Sequence, residues 1–136
     1  ELYRHLLSRM NALLDAIEVQ HASSRERCEA VLRMLFALAE AEPDAMGFVV
    51  NARHREFLAE EQAICSASAF VRMRGFVFSG MKDGEIRSME PMVAASLMYG
   101  SAIRIICLRL DGLVDTPLQQ LFDSLWEGVW RSLRPD

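Results

Sequence analysis

The sequence predicts an all-α domain of six helices, and three features of the chain lead to this fold class. Apolar residues recur at steps of three and four along most of its 136 residues, the spacing that places them on one face of a helix. Residues that cap or begin helices, such as Ser23 and Pro91, precede several of these runs. No segment alternates apolar and polar residues as a half-buried strand would. We therefore expect one helical domain over residues 1–136, without an internal linker.

Composition and charge argue against binding of nucleic acid or membrane by this chain alone. Hydrophobic residues make up 51% of the chain, and the formal net charge is −4. An acidic chain is a poor partner for nucleic acid by itself, because phosphate binding needs a basic face. The three cysteines (Cys28, Cys65 and Cys107) are widely spaced in apolar surroundings, which favours reduced thiols in a soluble, cytoplasmic protein. No uninterrupted apolar run reaches the roughly 18 residues of a membrane span and no signal peptide is recognisable, so we expect no membrane partner.

Spacing and caps define the first two helices. The first is predicted from Glu1 to Gln20, with an apolar stripe of Leu2, Leu6, Met10, Leu13, Leu14 and Ile17. Ser23 and Glu26 form a capping box that opens the second helix, because a hydroxyl and a carboxylate at this spacing satisfy free backbone donors. The second helix stops before Pro43. Its inward side chains are predicted to be Cys28, Val31, Leu32, Leu35, Leu38 and Ala39.

The third helix is short and the fourth is long. Pro43 suits a first helical turn, so the third helix is predicted from Pro43 to Val50, followed by a break from Asn51 to His54. The fourth is predicted from Arg55 to Ser79 and is ended by Gly80. One apolar face of the fourth helix carries Phe57, Ile64, Val71 and Phe78, and another carries Ala63, Ala67, Phe70 and Val77. A helix that is apolar on two faces touches several neighbours.

Two proline signals begin the last two helices. Glu90 or Ser88 caps the fifth helix, which runs from Pro91 to Leu110 and stops at Asp111-Gly112. Thr116-Pro117-Leu118-Gln119 combines a capping box with Pro at the first helical position, and predicts a sixth helix from Pro117 to Leu133. Both helices are broadly apolar, which favours pairing with a second copy, since monomers rarely expose large apolar patches.

No pattern for catalysis or metal binding is present in the sequence. His5, His21 and His54 lie on different predicted elements, and no cysteine lies within metal-ligand spacing of another cysteine or of a histidine. Glu60 and Glu61 are adjacent on a helix, so their carboxylates diverge by about 100° and cannot converge on one substrate. We expect no metal, no cofactor and no enzymatic activity.

Two short motifs resemble the TetR family of transcriptional regulators. Glu1-Leu2-Tyr3, continuing through Leu6-Leu7, is similar to the junction where an acidic-Leu-Tyr tripeptide starts the helix that follows the family's helix-turn-helix. Gly84-Glu85-Ile86, followed by Pro91, Ala94-Ala95 and Gly100, resembles the family's run into its eighth helix. The order of helix lengths is also similar, with a long linker helix, a capped helix, a short helix, a long central helix and two dimerising helices.

The resemblance implies an effector-binding and dimerisation domain of the TetR C-terminal type. A helix-turn-helix domain of on the order of fifty residues would precede this chain, so operator DNA would be bound only through that missing part. The last two helices would form a four-helix bundle with their copies in a homodimer. The residues expected at this interface are Leu97, Gly100, Ser101, Arg104, Leu118, Leu121, Phe122, Leu125, Trp126 and Val129. Arg104 either pairs with an acidic group across the dimer, reaches into the pocket, or extends to solvent.

The resemblance also places an effector pocket inside the bundle, enclosed by the second, third, fourth and fifth helices and lying beneath the linker helix. Methionine and phenylalanine walls with a few polar anchors are typical of sites for small, largely apolar molecules. The residues expected to line it are Met34, Phe48, Asn51, His54, Phe70, Met73, Arg74, Met98 and Tyr99. On the fourth helix we expect Phe70 and Arg74 to border the ligand, and Val71 and Phe78 to belong to the core.

Together these expectations predict that the chain is the small-molecule-sensing and dimerisation domain of a TetR-like repressor. Effector binding would bias the linker helix and change the spacing of two DNA readers, which an operator fixes at about one helical turn, ~34–36 Å. The alternative is a small all-helical enzyme or carrier that binds an apolar ligand in a bundle cavity. A basic helix-turn-helix segment upstream of Glu1 would distinguish the first from the second.

Overall fold

The structure is a computed structural model that describes residues 2–50 and 60–136, with side chains for residues 4–50 and 68–136. These two ranges contain six α-helices and one short 3-10 helix. The helices are α1 (Leu2–Gln20), α2 (Ser24–Ala41), α3 (Pro43–Val50), α4 (Glu60–Lys82), α5 (Pro91–Leu110) and α6 (Phe122–Leu133), with the 3-10 turn at Leu118–Leu121. No strand occurs in these two ranges, so the predicted all-α fold class is confirmed.

Helix α2 has neighbours on most sides, since it contacts α1, α3, α4, α5 and the 3-10 turn. All six of its side chains that were predicted to point inward are buried. The ring of Phe36 meets that of Phe122 edge to face, with centroids 5.8 Å apart, and so joins α2 to α6. Edge-to-face pairs of this kind stabilise a core beyond the area that they bury. The core therefore forms around α2.

The start of α2 is capped from two directions. The Glu26 backbone N–H donates to Ser23 Oγ (3.1 Å), and the Ser23 hydroxyl donates to the Glu26 carboxylate (2.8 Å), which confirms the capping box. The Glu85 carboxylate, from the loop after α4, accepts hydrogen bonds from the backbone N–H groups of Ser24 and Arg25 (3.1 and 3.3 Å). A carboxylate is favourable here because free N–H groups make a helix N-terminus electropositive.

Helix α1 packs through four of its predicted stripe residues, namely Leu6, Met10, Leu14 and Ile17. Leu13 is 38% exposed, so its assignment to the stripe was wrong. Leu7, which lies on the opposite side of the stripe from Leu13, is buried, so the face that packs against the core is turned towards Leu7. Arg72 ties α1 to α4 by donating to the Asn11 carbonyl (3.1 Å) and to the Asp15 carboxylate (2.8 Å).

Helix α4 differs from the prediction at its end and in its buried face. The helix continues through Gly80 and ends at Lys82. In the turn that follows, Gly84 has a φ of +81°, a left-handed conformation that favours glycine. The predicted start at Arg55 lies outside the described residues. Val71 and Phe78 are 53% and 36% exposed, so their assignment to the core was wrong. The buried face is instead formed by Ala69, Met73, Phe76, Val77 and Gly80.

Helix α5 begins as predicted, whereas α6 does not. Glu90 caps α5, and its carboxylate accepts the Val93 backbone N–H at 2.9 Å. The predicted capping box before the sixth helix was wrong: Pro117 precedes a 3-10 turn without a side-chain cap. The Leu118 backbone N–H donates to the Glu40 carboxylate of α2 (3.2 Å), so the acceptor comes from a distant part of the chain.

Candidate dimerisation surface and buried polar cluster

An open groove of about 600 Å³ runs between α5 and α6. We call it the α5–α6 groove. Its lining residues are Ser96, Leu97, Gly100, Ser101, Ile105, Leu121, Ser124, Leu125, Gly128, Val129 and Ser132. The lining is mostly apolar and includes two glycines and four serines. This composition allows another helix to approach closely.

The glycines and serines of the groove have local geometry that suits such an approach. A Cβ added to Gly100 or Gly128 would meet nothing within 4 Å, so both positions open onto free space. The Ser96 hydroxyl donates to the Met92 carbonyl (2.8 Å) and the Ser132 hydroxyl donates to the Val129 carbonyl (2.6 Å). Because these hydroxyl protons are already bonded within their own helices, covering them costs less than covering unbonded donors.

The apolar character of α5 extends beyond the groove. The helix is long and apolar enough, by length and composition alone, to cross a membrane, with a window of mean hydropathy 1.5 that is 33% buried in the bundle. Its buried residues pack in the domain core, and α5 contacts α2, α3, α4 and α6. Met92, Val93 and Leu97 are exposed on its other side. Part of this exposed apolar surface, at Leu97, forms a wall of the α5–α6 groove.

The residues predicted for the dimer interface divide between this groove and other places. Leu97, Gly100, Ser101, Leu121, Leu125 and Val129 line the groove. Leu118 and Phe122 were assigned wrongly, because they are fully or almost fully buried in the chain's own core and have no surface left for a partner. Trp126 lines a different depression, and Arg104 is exposed without being part of the groove lining. The apolar stripe predicted for the sixth helix is therefore divided among the groove, the chain's own core and a second depression.

The residues predicted for the effector pocket lie in or beside the core. Met34, Met73, Met98 and Tyr99 are buried in it, and Phe48, Phe70 and Arg74 are half-buried. Asn51 and His54 lie outside the described residues. None of the seven described residues lines the α5–α6 groove or the depressions beside α6. Their role as ligand contacts stays a prediction.

Two of these residues meet in a buried polar cluster with Cys28. The Tyr99 hydroxyl donates to the Met73 carbonyl at 2.7 Å and lies 3.6 Å from Cys28 Sγ, so α5 is joined to α4 and α2. Burial raises the pKa of the Cys28 thiol to about 12 and the pKa of Tyr99 well above its usual value. Both groups are therefore neutral at physiological pH. Sequence spacing predicted that Cys28 is buried but gave no sign of its partner, which lies 71 residues away.

The described residues hold no other arrangement suited to chemistry. Within them, no three His, Cys, Asp or Glu side chains are placed to hold a metal ion. Cys28 and Cys107 are free thiols. Among the described side chains, every buried nitrogen or oxygen has a hydrogen-bond partner. The features that remain available to a partner are thus on the surface.

Comparison with known proteins identifies the fold alone. No family model matches the sequence, and no curated protein matches it. The structure is similar to that of a protein of unknown function from Rhodococcus sp. RHA1, with a TM-score of 0.79 and 17% sequence identity. The match covers 98% of this chain and 70% of the Rhodococcus chain. At this identity the similarity concerns the helical arrangement, and part of the Rhodococcus chain lies outside it.

Proposed function

We propose that this chain is the small-molecule-sensing and dimerisation domain of a TetR-like transcriptional repressor. The α5–α6 groove carries the proposal, because the last two helices leave an apolar surface uncovered there. The order of helix lengths and the two sequence motifs supply the family. The chain would act in the cytoplasm, and would reach operator DNA only through a helix-turn-helix domain outside it.

A second copy of the chain fits the groove better than a small molecule would. The groove is open along its length, whereas sites for small molecules bury most of the ligand surface. Two copies related by a two-fold axis would present the same apolar walls and the same glycines to each other, as an isologous interface requires. The four helices involved would then form a bundle with a closely packed centre.

The sensing part of the proposal rests on how α1 is held. Arg72 attaches the middle of α1 to α4 through both a carbonyl and a carboxylate. Arg9 forms a second ion pair, to Glu42 at the end of α2. Arg27 donates to the carbonyls of His21 and Glu18 at the end of α1 (2.8 and 2.9 Å). An effector that displaces α4 would therefore displace α1, through which the DNA-binding domain is attached.

The dimer is tested by filling the groove without disturbing the core. Gly100→Leu combined with Gly128→Leu places side chains where each single chain has open space, so the monomer should stay folded while the second copy is excluded. Gly75→Leu is the matched control, since Gly75 lies exposed on α4 and also has open space at its Cβ. Sedimentation at micromolar concentration should give a dimer for the parent and the control, and a monomer for the double variant. A stable parent monomer would overturn the proposal.

The regulatory part needs its own experiment. The coding sequence upstream of Glu1 should encode a basic segment of on the order of fifty residues with a helix-turn-helix pattern. The protein that includes this segment should bind DNA and should release it when an effector is added. Native mass spectrometry of freshly purified protein identifies bound small molecules. A start codon directly before Glu1 would contradict the assignment to a DNA-binding regulator while leaving the dimer intact.

A further inference from the structure

A second surface lies beside α6, on a face different from the α5–α6 groove. Two adjoining depressions, of about 390 and 440 Å³, share Arg131 and Arg134. We define the arginine–tryptophan patch as Arg25, Arg87, Trp126, Trp130, Arg131 and Arg134. The remaining lining residues of the two depressions are Asp123, Glu127, Pro135 and Asp136. The groove is lined by Leu125, Gly128 and Val129 of α6, so the two surfaces use different faces of one helix. The dimer does not require this patch.

The aromatic part of the patch is rigid. Phe122, Trp126 and Trp130 are spaced four residues apart on α6 and their rings stack, with centroid distances of 6.4 and 5.8 Å between neighbours. Trp126 is anchored in the core, and Trp130 is half-buried at the outer end of the stack. The Arg25 guanidinium lies 5.1 Å from the Trp130 ring centroid, within cation–π range. A partner would thus find a preformed surface.

The cationic part of the patch is largely unneutralised. Arg131 pairs with Glu127 (2.7 Å). Arg25, Arg87 and Arg134 have no ion pair with any carboxylate of the described residues. Arg87 is held in place, because its Nε donates to the Ser132 carbonyl (2.9 Å) and its backbone N–H donates to the Leu133 carbonyl (2.8 Å). Of the three acidic residues that also line the depressions, Glu127 pairs with Arg131 and Asp123 lies 4.0 Å from Arg33, which leaves Asp136 beside the three arginines without an ion pair to any described residue.

We propose that the arginine–tryptophan patch binds an acidic segment of another protein. Guanidinium groups bind carboxylates in two-pronged geometry, and arginine and tryptophan are enriched at the energetic centres of protein interfaces. The depressions are open to solvent, so a small free anion would bury too little of its surface to be held. A peptide can instead place carboxylates on Arg25, Arg87 and Arg134 while an apolar side chain covers Trp130. The proposal stands on these contacts alone and does not depend on the proposed function.

Intrinsic fluorescence tests the proposal directly, because the chain contains two tryptophans and both belong to the patch. The probe is a short tryptophan-free peptide of Asp and Glu around one central Leu, with the same peptide carrying Lys at each acidic position as its control. The acidic peptide should change the emission with a saturable midpoint that weakens as salt is added, since exposed charge pairs are screened. The lysine peptide should have no effect.

Charge reversal assigns the binding to the patch. Arg134→Glu and Arg25→Glu should each weaken the acidic peptide on the order of tenfold. Arg25→Glu also brings an acid next to the Glu85 carboxylate that caps the same turn of α2, whereas Arg134→Glu leaves this cap untouched and carries the test if Arg25→Glu is destabilised. Arg104→Glu is the control, because Arg104 is exposed on α5 outside the patch, and its peptide affinity should be unchanged. Unchanged melting curves confirm that all three variants fold.

Three results would overturn the proposal. The first is no change of emission with the acidic peptide up to about 1 mM. The second is equal binding by the parent and both patch variants. The third is an occupant of a different kind: inorganic phosphate giving the same emission change at a similar midpoint would assign the patch to small anions, and an emission change that follows protein concentration alone would assign it to a second copy.

Discussion

The Glu40 carboxylate and the Arg109 guanidinium lie side by side, with Nε donating at 2.9 Å and Nη2 at 3.2 Å. Arg109 also donates through Nη1 to the carbonyls of Val114 and Asp115 (3.1 and 2.9 Å). Glu40 accepts the Leu118 backbone N–H as well. The pair therefore holds the end of α5, the following loop and the start of the 3-10 turn against α2. It fixes the connection between the two helices that line the α5–α6 groove.

This pair predicts a dependence of stability on acid. The Arg109 hydrogen bond, helped by the Leu118 N–H, lowers the pKa of Glu40 below its usual value. A carboxyl whose folded pKa is lowered stabilises the protein above the pKa of the unfolded chain, about 4.3, and loses that contribution as the pH falls through the folded pKa. Glu40→Gln should lower the melting temperature by a few degrees at neutral pH. The gap between the variant and the parent should close in acid.

Melting curves across this pH range check the prediction. Glu29→Gln is the comparison variant, since Glu29 belongs to an i,i+4 surface pair with Arg33 that contributes only about 0.3–0.5 kcal/mol. It should melt close to the parent at neutral pH. A Glu40→Gln deficit that persists unchanged in acid would show that the pair does not act through its charge.

The buried thiol of Cys28 should make stability depend on pH in the opposite direction, with a loss of stability as the pH rises. Burial raises the pKa of its thiol to about 12, well above the value of about 8.5 for an exposed cysteine. The contribution of the neutral thiol is fully present below the unfolded pKa and is lost as the pH rises from there towards the folded value. Urea unfolding should therefore show stability falling above about pH 8.5, by up to about 1.4 kcal/mol per pH unit. Cys28→Ala should flatten this part of the curve.

Thiol labelling gives a second readout of the same burial. In the native protein at mildly alkaline pH, Cys28 should stay unmodified by a thiol reagent and should react only as the chain unfolds. Half-buried Cys107 should react sooner. Peptide mapping of the labelled protein distinguishes the two sites. Rapid labelling of Cys28 under native conditions would contradict its burial.

Tyr99→Phe tests the hydrogen bond that crosses the core. The substitution keeps the ring and removes the hydroxyl that donates to the Met73 carbonyl. We expect a loss of about 1 kcal/mol in the free energy of unfolding, since a buried hydrogen bond typically contributes 0.5–1.5 kcal/mol. Tyr99→Ala should cost about 3–5 kcal/mol because it also leaves a cavity. Urea unfolding measures both. A Tyr99→Phe variant as stable as the parent would contradict a stabilising role of the hydrogen bond to Met73.

The sequence predicted local features well and distant ones poorly. The capping residues Ser23 and Glu90 act on backbone groups three residues away, so their patterns can be read from the chain itself. Glu40 is 78 residues from the backbone N–H that it satisfies at Leu118, and no local pattern indicates it. At the start of the 3-10 turn this remote carboxylate accepts a backbone N–H, whereas the predicted local capping box does not form.

A second feature that the sequence alone does not predict is the buried face of a helix with more than one apolar face. On helix α2 the six residues predicted to point inward are all buried, but Ser24, Met34 and Phe36 are buried as well, because α2 has neighbours on most sides. Helix α4 has two apolar faces, and the sequence does not say which one is buried; the buried face contains Ala69 and Gly80, whose small size lets neighbouring segments come close. On α6 one wide stripe is divided, with Phe122 in the core and Leu125 in the groove. Assigning such faces requires the neighbours that they contact.

Gly80→Ala would add a methyl group at a closely packed position of α4. An added Cβ would lie 2.8 Å from Ile86 Cδ1 and 2.9 Å from Ser24 Cβ. The Ile86 atom is at the end of a side chain and can move, but Ser24 Cβ is fixed to the first turn of α2, which Glu85 caps. Gly80→Ala should therefore destabilise the protein by about 1–3 kcal/mol through overpacking.

Gly75→Ala is the matched control for this last prediction, since both glycines lie inside α4 with ordinary helical geometry. Nothing lies within 4 Å of a Cβ added to Gly75. Alanine has a higher helix propensity than glycine by about 0.8–1.0 kcal/mol, so Gly75→Ala should stabilise the protein by up to that amount. Opposite signs for the two variants in urea unfolding would place the cost of Gly80→Ala in the contact with α2. A stabilising Gly80→Ala would instead mean that the junction of α4, α2 and the Glu85 loop is looser than these distances indicate.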